Sequence, residues 1–369
     1  MPYAPRQAAV CQLILVLFNS DEMTKPSEAT DSGHRDALAA VPWLSRAAVN
    51  VLLKLRDMAL RPDGTVNRGF LNIIDLKSSP NPKPVHGISS SDFTVDPSRN
   101  LWFRLFVPDA STAAGSGPLP LIVYFHGGGY ATMSAASVPY DGFCRRLAGE
   151  VHALVASVEY RLSPEHRFPC QYDDGFDALK FIAENSATVL PGNADLSRCF
   201  IAGDSAGGNL AHHVAVRAAQ SKLEQVKIRG LIAIQPFFSG LERTESEVRN
   251  EKAPIFTVAQ ADWFWRAFLP EGADRDHPAA NVTGPNAVDI SVLPEFPATI
   301  VFAGGVDPLH DWQVKYSEWL RRSGKEAELV QYPNMVHGFW VFPELLEATQ
   351  LISKIKDFIT QRSSNQMSE

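Results

Sequence analysis

The stretch Phe200-Ile-Ala-Gly-Asp-Ser-Ala-Gly-Gly-Asn-Leu210 runs from an apolar segment of strand length into a segment of helical character. It places Ser205 between Gly203 and Gly207, at the point where the strand ends and the helix begins. A turn this sharp crowds the backbone, so the positions two residues before and after the serine have no room for a Cβ atom. The pattern G-x-S-x-G therefore predicts a strand-turn-helix unit that lifts the Ser205 hydroxyl above the edge of a sheet.

Apolar runs of strand length alternate with helical patterns on both sides of this unit. The runs are Leu119–Phe125, Ala153–Glu159, Cys199–Gly203, Ile228–Gln235, Ala298–Ala303 and Glu328–Tyr332. The helical patterns lie near 140–150, 171–184, 206–220, 311–322 and 344–361. Continuous apolar strands bounded by helices are typical of a parallel sheet that is covered on both faces. An earlier hairpin of 91–95 and 101–107 extends the prediction to an α/β fold with a mostly parallel sheet of about eight strands.

Composition restricts the class of function. Hydrophobic residues make up 45% of the 369 residues and charged residues 20%, which is typical of a soluble globular protein. The net charge of -7 offers no basic surface for nucleic acid or an anionic membrane. The four cysteines, Cys11, Cys144, Cys170 and Cys199, are widely separated and indicate reduced thiols. We predict a small-molecule ligand, no nucleic-acid partner, no stable membrane insertion, and a location in the cytoplasm, with the nucleus as a second compartment.

The N-terminus carries an apolar run, Ala8–Phe18, of the length found in secretory signals. It is too short to span a bilayer, and the residues that follow Phe18 lack a small-x-small cleavage pattern. Secretion is therefore disfavoured, and an alternative is that translation begins at Met23. Residues 19–36 are polar and predict a disordered lead-in. From 45 to 60, apolar residues recur at helical spacing, and this pattern predicts an amphipathic helix that must cover another part of the protein.

Candidate partners for Ser205 follow two later strands. A serine hydroxyl is a weak nucleophile that needs a base within hydrogen-bond reach and a carboxylate that orients the base. Asp307 follows an apolar strand that opens into a Gly-rich loop, and His337 follows the last predicted strand. The carboxyl ends of parallel strands gather at one edge of a sheet. Ser205, Asp307 and His337 are therefore candidates for one catalytic triad.

Each of these residues also has a structural interpretation. An aspartate after a strand is often a helix N-cap, and a lone histidine is more often structural than catalytic. Asp311 could supply the carboxylate in place of Asp307, but it would lie about one turn into the following helix, so Asp307 is preferred. The three residue types, at three strand ends and in the order Ser, Asp, His, favour the catalytic interpretation.

A further requirement of acyl chemistry is the stabilisation of negative charge on the carbonyl oxygen. Fixed backbone N–H groups supply roughly 3–4 kcal/mol per donor. The stretch Phe125-His-Gly-Gly-Gly129 offers a row of N–H groups after a strand, and Ala206 adds another at the start of a helix. The glycines could also form a tight turn, although turns rarely need three in succession.

Other polar motifs do not indicate a cofactor. No Lys-Ser/Thr pair follows the glycines as in a phosphate loop, and no G-x-G-x-x-G motif is present for a dinucleotide. Adjacent histidines such as His212 and His213 face apart on a helix, so they do not predict a metal site. The polar loop Glu159–Pro169 is interpreted as structural ion pairs near the site. We predict neither a cofactor nor a metal.

The motifs, taken together, resemble those of a known family. The chain has His126-Gly-Gly-Gly129 upstream of Gly203-Asp-Ser-Ala-Gly-Gly208, followed by Asp307-Pro-Leu309 and His337-Gly-Phe339. In this order they resemble the hormone-sensitive-lipase-like group of α/β hydrolases, over about residues 40–362. Within that group the chain is similar to plant carboxylesterases, which are relatives of the gibberellin receptor.

This resemblance implies an α/β-hydrolase fold with an N-terminal helical lid. The implied organisation is an extraneous or disordered extension at 1–36, a lid segment at 37–90 and the hydrolase domain at 91–362. Ser205 matches the nucleophile, Asp307 and His337 the other triad members, and His126 a structural residue. Gly127 and Gly128 match the oxyanion-hole donors, and Ala206 is the third donor.

The expected function is that of a serine carboxylesterase, which hydrolyses small apolar esters through an acyl-enzyme intermediate. The alternative is a small-molecule binding protein on the same fold, similar to the gibberellin receptor. In that subfamily the position of the catalytic histidine carries a nonpolar residue, whereas this chain has His337. The resemblance therefore favours the esterase, and a protein partner is expected only if the receptor alternative holds.

Overall fold

The computed structural model describes residues 38, 40–109, 117–221 and 223–364. The apolar run Ala8–Phe18 and the predicted extension at 1–36 lie outside the described residues. No described helix is both long enough and apolar enough to cross a membrane.

The centre of the fold is an eight-stranded sheet, as predicted. Its strands are β1 Ile88–Asp96, β2 Leu101–Pro108, β3 Leu119–Phe125, β4 Leu154–Glu159, β5 Ala194–Asp204, β6 Ile228–Ile234, β7 Ala298–Gly304 and β8 Ala327–Tyr332. The spatial order is β1-β2-β4-β3-β5-β6-β7-β8. β2 pairs antiparallel with β1 and β4, and every other pair is parallel. The carboxyl ends of β3 and β5–β8 therefore open on one edge.

Helices cover both faces of this sheet. They are α1 Trp43–Ala59, α2 Arg68–Ile74, α3 Val138–Val151, α4 Cys170–Glu184, α5 Ser186–Val189, α6 Ala206–Ser221, α7 Glu245–Arg249, α8 Val258–Phe268, α9 His310–Arg322 and α10 Leu346–Ser364. Three-residue 3-10 turns occur at Pro97–Arg99, Ile290–Val292 and Phe339–Val341. The helices predicted at the sheet are all present, with ends within a few residues of the expected ones.

The burial of β3 shows how the sheet is held between two apolar layers. All seven residues of β3 are buried. Leu121 and Val123 pack in the cluster that includes residues of α4, α6 and α8, whereas Ile122 and Tyr124 pack in the cluster formed with α3 and α10. Because successive side chains of a strand point to opposite faces, a continuous apolar run is required here.

The sequence patterns missed four short helices, α2, α5, α7 and α8. They span 4 to 11 residues, which is too short for a clear apolar period. Two of them begin with a capping box, Thr244 with Glu247 and Thr257 with Gln260, in which side chains and backbone N–H groups bond reciprocally. This signature was present in the sequence and could have located α7 and α8.

The N-terminal segment, residues 41–87, contains α1 and α2 and contacts α8. The Gln260 side chain donates to Asp57 Oδ2 at 2.8 Å, and the Trp263 indole N–H donates to the Arg61 carbonyl at 2.7 Å. Most of α1 is not buried, and its exposed apolar side chains are Trp43, Leu44, Val51 and Met58. The role of this segment as a lid remains a prediction.

Candidate active site

Ser205 occupies the turn between β5 and α6, at the carboxyl edge of the sheet. Its φ is +50°, a left-handed conformation that costs energy for a residue with a side chain. A Cβ on Gly207 would overlap the carbonyl oxygen of Phe125, and a Cβ on Gly203 would overlap the backbone of Gly207. Both glycines are therefore required for the close approach of this turn to β3.

The structure brings Ser205, His337 and Asp307 together at this edge. Nε2 of His337 lies 2.9 Å from Oγ of Ser205, and Nδ1 of His337 lies 2.7 Å from Oδ2 of Asp307. Asp307 is fully buried, and the exposed fractions of Ser205 and His337 are 7% and 8%. In the neutral tautomer with a proton on Nδ1, the imidazole donates to Asp307 and accepts from the Ser205 hydroxyl.

Four donors surround the buried Asp307 carboxylate. Besides His337, the Gln313 side chain donates to Oδ2 at 2.9 Å and the Gln235 side chain at 3.1 Å. The Leu309 N–H donates to Oδ1 at 2.9 Å. A buried carboxylate must have its lone pairs satisfied, and these contacts meet that requirement without an adjacent cation.

The competing carboxylate of Asp311 has a different environment. Its Oδ2 accepts the backbone N–H of Ser246 at 2.7 Å, at the start of α7, and its Oδ1 lies 3.4 Å from the neighbouring His310. The His337 imidazole bonds to Asp307 instead. Asp311 therefore connects α9 to α7.

Gln235 joins the loop of the acid to the loop of the histidine. Its Nε2 also donates to the Val336 carbonyl at 3.1 Å, while its Oε1 accepts the Gly338 N–H at 2.8 Å. Residues 336 and 338 flank His337, so one side-chain amide orients both the imidazole-bearing loop and the carboxylate. Gln235 lies directly after β6 with φ +43°.

The glycine loop, residues 126–132, lies beside the Ser205 turn but differs from prediction in one donor. The Gly127 N–H donates to Tyr140 Oη at 2.7 Å and to Asp204 Oδ1 at 3.0 Å. This N–H group is thus occupied and buried, so the assignment of Gly127 as an oxyanion donor is corrected. Gly127 therefore anchors the loop to Asp204, the residue that precedes Ser205.

Three other N–H groups at this position are free to bind an anion. Among the residues that the structure describes, Gly128, Gly129 and Ala206 donate their N–H groups to no acceptor. Ala206 is the first residue of α6, where unpaired N–H groups and the helix dipole favour negative charge. The donor role of Gly128 and Ala206 stays a prediction, and Gly129 offers an unpaired N–H group where Gly127 does not.

The Asp204 carboxylate is buried beneath the glycine loop. Tyr124 donates its hydroxyl to Oδ1 at 2.7 Å, and Tyr140 donates to Oδ2 at 2.9 Å. Burial raises the pKa of Asp204 to about 6, although these hydroxyl donors lower it in part. The same burial raises the pKa of both tyrosines well above their usual value, which keeps them as neutral donors.

His126 is neutral and positions the loop. Burial lowers the pKa of its imidazole to about 3. Its Nδ1–H donates to the Gly127 carbonyl at 2.8 Å, and its ring stacks on Tyr160 with 4.2 Å between the centroids. These contacts agree with the structural role that the resemblance implied.

Aromatic side chains form one wall of the site. The Phe256 ring lies 4.7 Å from the His337 ring, between centroids. Phe256 follows Ile255, which has φ +73° at the centre of a turn closed by the Phe256 N–H and the Pro254 carbonyl at 2.9 Å. The ring of Phe264, on α8, lies against Gly129 so closely that a Cβ there would overlap it. The Phe256 and Phe264 rings therefore make this side of the candidate site apolar.

The polar motifs set aside from catalysis are structural. In the loop after β4, Arg161 forms an ion pair with Asp174 at 2.8 Å and Glu165 one with Arg68. His212 bonds through Nδ1 to the Tyr316 hydroxyl at 2.9 Å. Across the described ranges, no cluster of three or more His, Cys, Asp or Glu residues could hold a metal ion.

Comparison with known proteins identifies the class. The α/β-hydrolase family profile matches residues 122–341, which include the end of β3, all of β4 to β8, and Ser205, Asp307 and His337. The chain belongs to the α/β-hydrolase family. Similar members of that family include plant proteins, as the resemblance of the motifs implied.

The relatives include both a receptor and enzymes. The chain is 42% identical to gibberellin receptor GID1C of Arabidopsis thaliana, over 82% of this chain and 90% of the receptor. It is 35% identical to carboxylesterase 20 of the same plant, over 81% of this chain and 93% of the relative. The solved esterase of Pyrobaculum calidifontis is 28% identical, with a TM-score of 0.65 over 86% of this chain and 91% of that one. These neighbours support a carboxylesterase in general terms.

Proposed function

We propose that this protein is a serine carboxylesterase that hydrolyses small apolar esters through an acyl-enzyme intermediate. The observation that carries the proposal is the continuous relay from Asp307 through His337 to the Ser205 hydroxyl, with hydrogen bonds of 2.7 and 2.9 Å. The unpaired N–H groups of Gly128, Gly129 and Ala206 support it, because acyl transfer needs donors for the developing oxyanion.

The reaction has two steps in this proposal. Ser205 Oγ attacks the ester carbonyl carbon while His337 Nε2 takes the hydroxyl proton, and the imidazolium then gives that proton to the leaving alkoxide. Water attacks the acyl-enzyme in the second step, again with His337 as base, and the carboxylic acid leaves. Asp307 holds the imidazole and stabilises its positive charge in both steps.

The first test is the substitution Ser205→Ala. It removes the nucleophile, so we expect hydrolysis of p-nitrophenyl acetate by the pure protein to fall by about a thousandfold or more. The circular dichroism spectrum and Tm should stay close to those of the wild type. A variant that keeps the full rate would disprove the mechanism.

A matched control is Ser317→Ala on α9. This serine is also buried, and its hydroxyl has no partner among the described residues. It lies outside the relay, so its removal should leave kcat within about twofold of the wild type. Equal losses in the two variants would point to damage of the fold rather than loss of a nucleophile.

The proposed compartment is the cytoplasm. Cys144 and Cys199 are buried as free thiols, and burial raises the pKa of Cys199 to about 12. Thiols of this kind behave as small apolar packing residues, which fits a reducing environment.

A second candidate function is that of a small-molecule receptor. It is favoured by the 42% identity to a gibberellin receptor along most of both chains. A receptor need not use Ser205 chemically, whereas an esterase must. A fluorophosphonate probe, which labels only an activated serine, separates the two functions.

Labelling of Ser205 that is lost in Ser205→Ala supports the esterase. Failure of the probe to label the wild-type protein, together with tight binding of a diterpenoid acid by calorimetry, would establish the receptor instead. A protein partner belongs to this second function only.

A further inference from the structure

The direction of each unpaired N–H group in the glycine loop is fixed by the hydrogen bonds of the carbonyl in the same peptide unit. A peptide unit is planar and trans, so its N–H and C=O groups point in opposite directions. Holding the Gly127 carbonyl therefore fixes the Gly128 N–H, and holding the Gly128 carbonyl fixes the Gly129 N–H. The Gly127 carbonyl accepts Nδ1–H of His126 at 2.8 Å.

The Gly128 carbonyl is held by the next turn of the same loop. It accepts the Thr132 N–H at 3.0 Å, the Thr132 hydroxyl at 2.8 Å and the Ala131 N–H at 3.1 Å. Thr132 is buried, with 1% of its surface exposed. The orientation of the Gly129 N–H group therefore depends on the positions of Ala131 and Thr132.

That turn is held in place by a residue from the N-terminal segment. Nη1 of Arg68 donates to the Ala131 carbonyl at 2.5 Å. Arg68 is the first residue of α2, which Asn67 caps by accepting the Phe70 N–H at 3.1 Å. Among the described residues, no other side chain of the N-terminal segment donates a hydrogen bond to the glycine loop.

The remaining donors of Arg68 fix its guanidinium group. Nε donates to Glu165 Oε1 at 3.0 Å, and Nη2 donates to Glu165 Oε2 and to the Ser163 carbonyl, each at 2.5 Å. The Ser163 N–H in turn donates to the Tyr130 carbonyl at 2.8 Å. A planar guanidinium can bridge these acceptors, and a lysine ammonium cannot reproduce the fork.

We infer that Arg68 is a positioning residue for the esterase reaction. By holding the Ala131 carbonyl, it makes the orientation of the Gly129 N–H group depend on the contact between the N-terminal segment and the glycine loop. The N-terminal segment then contributes to charge stabilisation, in addition to the lid role predicted for it. This inference rests on the proposed function, since it concerns the donors that act on the oxyanion.

The experiment is the substitution Arg68→Gln in the full chain. Loss of the Ala131 contact should misdirect the donor, and we expect kcat for p-nitrophenyl acetate to fall about tenfold or more while KM stays within about threefold. A trifluoromethyl ketone forms a tetrahedral adduct with an active serine, and its inhibition constant should rise by the same factor as kcat/KM falls. If Arg68 had only a structural role, the substitution would lower Tm but leave kcat/KM and the inhibition constant of the ketone unchanged.

Three variants complete the test. Glu165→Gln removes the ion pair that helps to fix the guanidinium but leaves the Ala131 and Ser163 carbonyl acceptors of Arg68, so kcat should fall by less than in Arg68→Gln. Arg56→Gln removes an arginine of α1 that pairs only with Asp57 in the described residues, and it should have no effect on kcat. Arg68→Lys keeps the charge without the fork, so it should lose kcat as Arg68→Gln does and also provides a result if Arg68→Gln fails to fold.

Two outcomes would overturn the inference. One is an active wild-type enzyme whose kcat and ketone affinity are unchanged in both Arg68 variants. The other is an equal loss of kcat in Arg56→Gln. An inactive wild-type protein that no fluorophosphonate labels would instead overturn the proposed function, so the two failures are distinguishable.

Discussion

At the scale of single residues, the candidate site depends on side chains that take no part in the chemistry. Gln235 and Gln313 satisfy the Asp307 carboxylate, and Asp204 with Tyr140 holds the Gly127 N–H. A buried carboxylate left without donors would shift toward its neutral form and could no longer stabilise an imidazolium. The positions of the Asp307 carboxylate and of the glycine loop therefore depend on these neighbouring amide, hydroxyl and carboxylate groups.

The tightest of these constraints concerns Gly207. In Gly207→Ala the added methyl group would overlap the Phe125 carbonyl, and neither backbone can move without disrupting the end of β3 or the start of α6. We expect a loss of more than about 4 kcal/mol in the free energy of unfolding, or no folded protein. Urea unfolding followed by circular dichroism measures this change.

Gly142 provides the matched control. It lies within α3, and a Cβ there would meet no atom within 4 Å. Gly142→Ala should raise the free energy of unfolding by about 0.5–1 kcal/mol, because alanine loses less backbone entropy in a helix. Comparable destabilisation in both variants would show that crowding is not the reason for Gly207.

At the scale of elements, the site is a set of strand ends closed on one side by α8. The parallel strands were predictable because each is a continuous apolar run, and they carry Ser205, Asp307 and His337 to one edge. α8 was not predicted, because its 11 residues are too few for a clear apolar period and the capping box of Thr257 and Gln260 was not used. It nevertheless supplies the Phe264 ring beside Gly129.

Supporting contacts were equally hidden from the sequence. Gln235 and Asp307 lie 72 residues apart, and Arg68 and Glu165 lie 97 apart. Amide and arginine side chains of this kind have many surface roles, so their type alone indicates nothing about partners. The error at Gly127 has the same origin, because its N–H acceptors, Tyr140 and Asp204, are brought to it only by the fold.

Phe264 should limit the size of the group that lies next to Gly129. In Phe264→Leu the wall recedes, so kcat/KM for p-nitrophenyl hexanoate should rise relative to that for the acetate ester by about threefold or more. The ratio of the two esters on one protein sample cancels differences in folded fraction. A ratio equal to that of the wild type would remove Phe264 from the substrate wall.

At the scale of the whole molecule, buried histidines couple stability to pH. Burial lowers the pKa of His126 and of His212 to about 3. In the unfolded chain their pKa is about 6.5, so the unfolded state binds more protons below that pH. Their contribution to stability is thus complete above pH 6.5 and is lost as pH falls toward 3. Asp204, whose pKa is raised, acts in the opposite sense and loses stability as pH rises from about 4 to 6.

The change His212→Asn should reveal this coupling without touching the active site. Between pH 4 and 6, the free energy of unfolding should depend on pH less steeply than in the wild type, by about 1.4 kcal/mol per pH unit for the one proton removed. Denaturant titrations at several pH values measure this slope. An unchanged slope in His212→Asn would contradict the assignment.

The carboxamide of Gln235 fixes a spacing that neither neighbouring loop determines alone. Because it bonds to Asp307 and to both residues that flank His337, inserting or deleting a residue after β7 or after β8 would separate the acid from the imidazole. In related sequences, we therefore expect the loops after β7 and β8 to change length only together, even where surface residues vary without restriction.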